Sequence, residues 1–302
     1  MQTLSSSLRI GVLRGGPSPE YDVSLQSGSH VLKHLSETHQ PVDIFISRDG
    51  TWHMRGVPRT PERILKQVDV VFNALHGSYG EDGQVQELLQ RHAVPFTGSD
   101  RYASALAMNK WLTKERAQAV GIKAPLSAIV RENDSLAEKA TEIFNSIPHP
   151  LIVKSVHSGP SRHAYVVQSY SELLLALESI LFDHSSALVE EYVVGKQVSC
   201  DITESFRGQR TYAFPPSVQL IRKETTEIEQ VAKKIHELLG LSHYSQSGFV
   251  VTPRRGIYFL EVSTTPKLYE TSPLRQSLEA VGVSVKEFLH HLIALALNKK
   301  YE

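Results

Sequence analysis

Over roughly the first hundred residues, apolar runs of strand length alternate with stretches of helical spacing, and the runs end on glycine. Residues 9–13 (RIGVL) read as a buried strand closed by Gly15 and Gly16, and Val31, Leu32 and Leu35 mark a helix at helical spacing. Residues 41–46 read as a second strand and 68–75 as a third, which runs into His76 and Gly77. A helix over 81–91 and a fourth strand with its turn over 94–98 follow. Strands alternating with helices imply a parallel sheet. In such sheets ligands collect at the carboxyl ends of strands, which is where Gly15-Gly16 and His76-Gly77 both fall.

The pattern then changes. A helix is expected over 103–120, closed by Gly121 as its C-cap. Strands at 151–154 and 164–167 flank a small-residue loop at 158–161, which is a hairpin signal, and a helix covers 173–181. Strands are expected at 187–193, 197–204, 244–251 and 256–262, with helices at 227–239 and 285–297. The expected class is α/β, passing to α+β in the later lobes. Three lobes follow from this: an N-terminal α/β substrate-binding domain over 1–102, a central lobe over 103–183 and a C-terminal lobe over 184–302. No internal repeat or low-complexity segment interrupts them.

Composition excludes several function classes. The 32 basic and 32 acidic residues balance, and no basic tract offers a footprint for nucleic acid. No apolar run reaches the roughly 20 residues of a membrane span, and no secretory signal opens the chain, so no membrane partner and a cytoplasmic location are expected. The one cysteine, Cys200, lies in an alternating run and reads as a buried structural thiol in a reducing compartment.

Chemistry-bearing residues cluster at the strand ends. The loop at 15–28 (GGPSPEYDVSLQSG) lets a ligand approach its glycine backbone, and Glu20 there suits an ammonium group or a solvated first helical turn. His76, at the head of the HGSYGEDG segment at 76–83, can position a carboxylate or phosphate, or be structural; Glu81 and Asp82 read as the acidic start of a helix. Lys154 ends an apolar strand, which puts an ammonium at a sheet edge; Lys110 sits on a helix that could equally be plain surface. Glu190, Tyr192 and Val193 end a strand whose backbone could read an adenine edge, with Glu190 accepting from the amino group, or which could be an ordinary edge strand with exposed acids. Glu261 ends an alternating apolar strand and precedes a polar turn, a common placement for a magnesium carboxylate. The candidate neighbouring strand at 244–251 (YSQSGFVV) carries no carboxylate.

Together these segments resemble the D-alanine–D-alanine ligase family of the ATP-grasp superfamily, in order and over nearly the whole chain. The most specific pieces are residues 15–28, residues 72–83 (FNALHGSYGEDG), Thr97-Gly98-Ser99 with 103–105, and 258–262 (YFLEV). The resemblance implies an ATP-grasp fold with an N-terminal parallel-sheet domain, and ATP and magnesium as cofactors. It implies a reaction in which ATP phosphorylates the carboxylate of one D-alanine and the amine of a second attacks the acyl phosphate. It places Glu20, His76 and Ser272 at the D-alanine sites, Lys110 and Lys154 at phosphates, Glu190 with the backbone of Tyr192 and Val193 at adenine, and Glu261 at magnesium. A cytoplasmic homodimer in peptidoglycan precursor synthesis is implied in the same way.

Departures from the family pattern concentrate on metal and phosphate. Gln246 and Gly248 stand where the family has an arginine and an aspartate, and Ser263 where it has an asparagine. Lys267 replaces a glycine, Gln197 a ribose-binding glutamate, and Asn109 the aspartate of a methionine–aspartate–lysine signature. Pro160 and Arg162 interrupt the small-residue phosphate loop, and residues 216–220 run almost directly into the next helix where a lid loop is expected. A hard dication takes about six oxygens, and losing one phosphate-clamping arginine costs on the order of a thousandfold in rate. The expectation is therefore a family member with impaired ATP chemistry. A non-catalytic homologue that binds a small amino acid or a partner protein, or an engineered variant, fits the same pattern.

Overall fold

The structure, a computed structural model, describes residues 7–37, 39–157 and 164–298. The chain divides into two compact units: Met1–Ala107 with Ser199–Ser247 and Val262–Glu302, and Met108–Val198 with Gly248–Glu261.

The first unit opens with β1 (Arg9–Gly15), α1 (Tyr21–Leu35), β2 (Gln40–Ile46), β3 (Trp52–Met54), β4 (Val57–Pro58), α2 (Pro61–Leu65), β5 (Val70–Asn73), α3 (Gln84–Arg91) and α4 (Arg101–Met108). Five strands form one sheet in the order β4-β3-β2-β1-β5, and β1 pairs in parallel with both β2 and β5. The near-continuous apolar run of β1 follows from this central place, because both of its faces are covered. Ile10 and Val12 join Val70 and Phe72 in one core, and Leu13 joins Ile44, Val71 and Phe96 in the other. The strand expected over 94–98 is reduced to an isolated parallel bridge between Val71 and Phe96.

The second unit contains α5 (Lys110–Ala119), β6 (Ser127–Arg131), α6 (Leu136–Ser146), β7 (Leu151–Ser155), β8 (Ala164–Val167), α7 (Tyr170–Asp183) and β9 (Ser186–Glu191). Its antiparallel sheet runs β6-β9-β7-β8. Alternation sends Leu151, Val153, Ala187 and Val189 into a core shared with Ile143 of α6 and with Leu173 and Leu177 of α7. It therefore sends Lys154 and Glu190 to the opposite face.

The remaining elements are β10 (Lys196–Phe206), β11 (Gln209–Ala213), α8 (Arg222–Leu238), β12 (Tyr244–Thr252), β13 (Gly256–Ser263), α9 (Pro273–Ala280) and α10 (Val285–Asn298), with strand order β11-β10-β12-β13. β12 and β13 both run through the boundary between the units. Phe288, Leu289 and Leu292 of α10 enter the core of Ile10, Val12 and Phe72. No single described helix is long and apolar enough to cross a membrane. The bent pair α9–α10 reaches that length and apolarity together, but Leu274, Leu278, Phe288 and Leu292 are buried within the first unit.

Two further sequence expectations change. The single helix expected over 103–120 is two helices, because Asn109 is extended (ψ 97°) and its side chain accepts from the Leu112 N–H as the N-cap of α5. The helix expected to begin at Glu81 begins at Gln84, behind Gly83 in the left-handed region (φ 97°). The short elements β3, β4, α2 and β11, together with β6, α6 and α9, were not marked by the sequence pattern.

Candidate functional site

The first unit gathers polar side chains at the ends of β1 and β5. Gly15 has φ 89°, and a Cβ there would lie 2.2 Å from the Ile46 carbonyl, so only glycine lets the chain turn off β1. The Gly15 N–H donates to Ser24 Oγ, which in turn donates to the Ala74 carbonyl. Glu20 is buried at the N-cap of α1. Its carboxylate packs against Gly77: a Cβ at Gly77 would stand 2.6 Å from Glu20 Oε2 and 2.3 Å from Ser18 Oγ. His76 is buried with Nε2 2.8 Å from Ser27 Oγ. Burial holds the imidazole down to about 4, against the opposing pull of Glu81, so the ring is neutral at pH 7.

Glu81, expected at a helix start, lies before α3. It is buried, and accepts from the Gly77 N–H at 2.8 Å, Ser263 Oγ at 2.6 Å and the Thr265 N–H at 3.2 Å. It ties the His76 loop to the turn after β13 within one unit. Thr265 adds a second tie by donating from Oγ1 to the Leu75 carbonyl. Asp82 accepts from the Tyr79 and Gln84 N–H groups and shapes the same loop. Ser272 is fully buried at the N-cap of α9, where its Oγ accepts from the Arg275 N–H.

The second unit assembles a charged cluster. On α5, Lys110, Thr113, Lys114 and Ala117 are the buried positions, a spacing that lines one helix face. Glu190 and Lys154 lie on the sheet face away from the helical core; Ile152 pairs with Glu190 and Lys154 with Leu188, so the two side chains are diagonal neighbours. Lys154 Nζ lies 2.6 Å from Glu190 Oε2, and Lys114 Nζ pairs with Glu190 Oε1. Lys110 Nζ lies 4.0 Å from Glu261 Oε2. Lys114 and Glu190 are each 1% exposed, whereas the Glu261 side chain is 34% exposed. Burial holds the Lys154 ammonium down to about 8 and pushes the Lys114 ammonium well below its ordinary value, with Lys154 as the next cause.

These positions refine the expected roles. Both oxygens of Glu190, the residue expected at an adenine amino group, face the lysine Nζ atoms of Lys114 and Lys154. The Tyr192 N–H donates to the Pro150 carbonyl, and Val193 packs with Val250 and Tyr258. Lys114 was not expected, although it stands four residues after Lys110 on one helix face and that spacing could have revealed it. Pro160 and Arg162 lie outside the described residues.

A magnesium ion does not fit the donors present. A Cβ at Gly248 would lie 3.7 Å from Glu261 Cγ, so position 248 does face Glu261, and glycine gives it no oxygen. The Ser263 hydroxyl is committed to Glu81. Among the described residues no group of three His, Cys, Asp or Glu could hold a metal.

The model for the D-ala D-ala ligase N-terminus matches residues 9–62 and 56–99, and that for the C-terminus matches 117–214 and 208–294. A D-alanine–D-alanine ligase of Geobacter sulfurreducens is 32% identical, over 95% of this chain and 94% of the relative. The vancomycin/teicoplanin A-type resistance protein VanA of Enterococcus faecium is 27% identical over 96% of this chain and 99% of its own length. The solved structure of the D-alanine-D-alanine ligase from Coxiella burnetii superposes with a TM-score of 0.87 at 25% identity, covering 97% of this chain and 95% of that one. The VanG D-Ala:D-Ser ligase from Enterococcus faecalis superposes at 0.84, also with 25% identity, covering 96% and 100%. The fold is ATP-grasp, and with both halves matched and full-length relatives at this identity, the chain belongs to the D-alanine–D-alanine ligase family.

Proposed function

We propose that this protein is a D-alanine–D-alanine ligase homologue that binds D-alanine in its first unit and a nucleotide in its second, with ATP-dependent ligation impaired. The observation that carries the reading is the donor set at Glu261: one carboxylate, an ammonium 4.0 Å away, and a glycine at the facing position. In this reading the buried Glu20 carboxylate receives the D-alanine ammonium. His76, neutral at pH 7, and Ser272, at a helix N-terminus where negative charge is favoured, receive carboxylate oxygens. Lys110 and Lys154 receive phosphates, and the backbone at Tyr192 and Val193 borders the base. A bound magnesium would supply charge stabilisation at the phosphates, and among the described residues Glu261 is the carboxylate that would hold it. A homodimer through the first unit and a cytoplasmic place in peptidoglycan precursor synthesis belong to the same reading.

The test is phosphate release with ATP, magnesium and D-alanine, alongside an active relative. The expected outcome is release no faster than without D-alanine, while D-alanine alone raises the melting temperature with or without magnesium. Rapid D-alanine-dependent turnover would end the reading in favour of an active ligase, which the end-to-end family match supports.

A further inference from the structure

We infer that the lysine face of the second unit binds the polyphosphate of a nucleotide without a divalent cation, with the Lys110 ammonium standing at Glu261 where a metal would otherwise be held. The inference rests on the reading that this face takes a nucleotide, and it specifies what neutralises the anion. Among the described residues three lysines, Lys110, Lys114 and Lys154, meet two carboxylates, Glu190 and Glu261. Glu190 is enclosed between Lys114 and Lys154, with both oxygens engaged, and is removed as a metal ligand. Glu261 is the more exposed acid, and it pairs with Lys110.

Local structure fixes this arrangement. Lys110 opens α5 directly after the Asn109 cap, and its N–H donates to the Val156 carbonyl at 3.1 Å, which ties the start of α5 to the residue that follows β7. Lysine binds phosphate as a point charge with three donors. A dication asks for about six oxygens, most of which this face does not provide. An ammonium already at the carboxylate also repels an incoming dication. The missing ligand position is defined: a side chain at 248 would point at Glu261 across ordinary contact distance.

The test is calorimetric binding of ADP, and separately of inorganic tripolyphosphate, in EDTA and in magnesium. Wild type, Lys110→Gln and Gly248→Asp are compared, each shown by circular dichroism to be folded. Wild type is expected to bind in EDTA, with magnesium changing affinity by less than about threefold. Lys110→Gln is expected to weaken binding in EDTA by about tenfold or more. Gly248→Asp, which sets a second carboxylate against Glu261, is expected to make binding magnesium-dependent by about tenfold. Absence of binding in EDTA, a tenfold gain from magnesium in wild type, or indifference of EDTA binding to Lys110→Gln would each overturn the inference. The phosphate-release assay separates it from the reading beneath it. Turnover together with metal-indifferent binding removes the impaired-ligase reading and leaves the inference standing; no turnover with metal-dependent binding does the reverse.

Discussion

At Asp201, in β10, a carboxyl group is fully buried with Oδ1 accepting from Gln246 Nε2 at 2.7 Å. Burial raises it to about 7, while hydrogen bonds from Gln246 and Ser277 pull the other way. The folded protein therefore keeps this proton through a range in which the unfolded chain has lost it. Stability falls as pH rises from the ordinary carboxylate value toward 7, and the cost is complete above 7. Asp201→Asn keeps the acceptor for Gln246 and removes the cost. Urea denaturation should find the variant more stable than wild type at pH 8, by on the order of 3 kcal/mol, with the gap closing near pH 4. Residues of this kind divide by how far their signal is local. Lys154 stands out in the sequence as an ammonium ending an apolar strand, while its pairing with Glu190 depends on a second strand. Asp201 was not, because its environment is made by Gln246 and Ser277, distant in sequence. Glu81 was misread for the same reason: its partners Ser263 and Thr265 arrive from the far end of the chain.

At the scale of the element, the break between α4 and α5 shows what a periodic pattern hides. The apolar spacing of 103–120 suits one helix, but an asparagine side chain that satisfies a backbone N–H competes with continuation of the helix. The result is a fresh N-terminus that orients Lys110 and Lys114. Asn109→Ala should cost about 1 kcal/mol in thermal or urea denaturation, and Asn109→Asp, an equally good cap, should cost little. Elements with a long apolar stripe or a strand of four or more buried residues were legible. Those missed are short, as with β3, β4 and α2, or bury little, as with α6, where Ala140 and Ile143 are the buried positions. Their existence depends on the surface they cover more than on their own sequence.

For the molecule as a whole, the fold is independent of the residues at the proposed metal position because the two depend on different residues. The cores rest on Ile10, Val12, Phe72, Phe288 and their neighbours, and on Val153, Val189 and Leu177, none of which belongs to the charged cluster. Order along the chain was enough to place the family, whereas the counter-ion role of Glu190 required side chains converging from a helix and two strands. Cys200 makes the integrity of the first unit measurable. It is fully buried, its Sγ lies 3.5 Å from the Phe214 carbonyl, and burial, seconded by Asp201, pushes the thiol well above its ordinary value. Thiolate is the reactive form, so modification by a maleimide has to wait for β10 to come away from β11. Its rate should match that of the slowest-exchanging amides of the sheet and rise with dilute urea; prompt labelling in native buffer would contradict the packing. With one sulfhydryl in 302 residues, alkylation becomes a single-site clock for how often this sheet breathes.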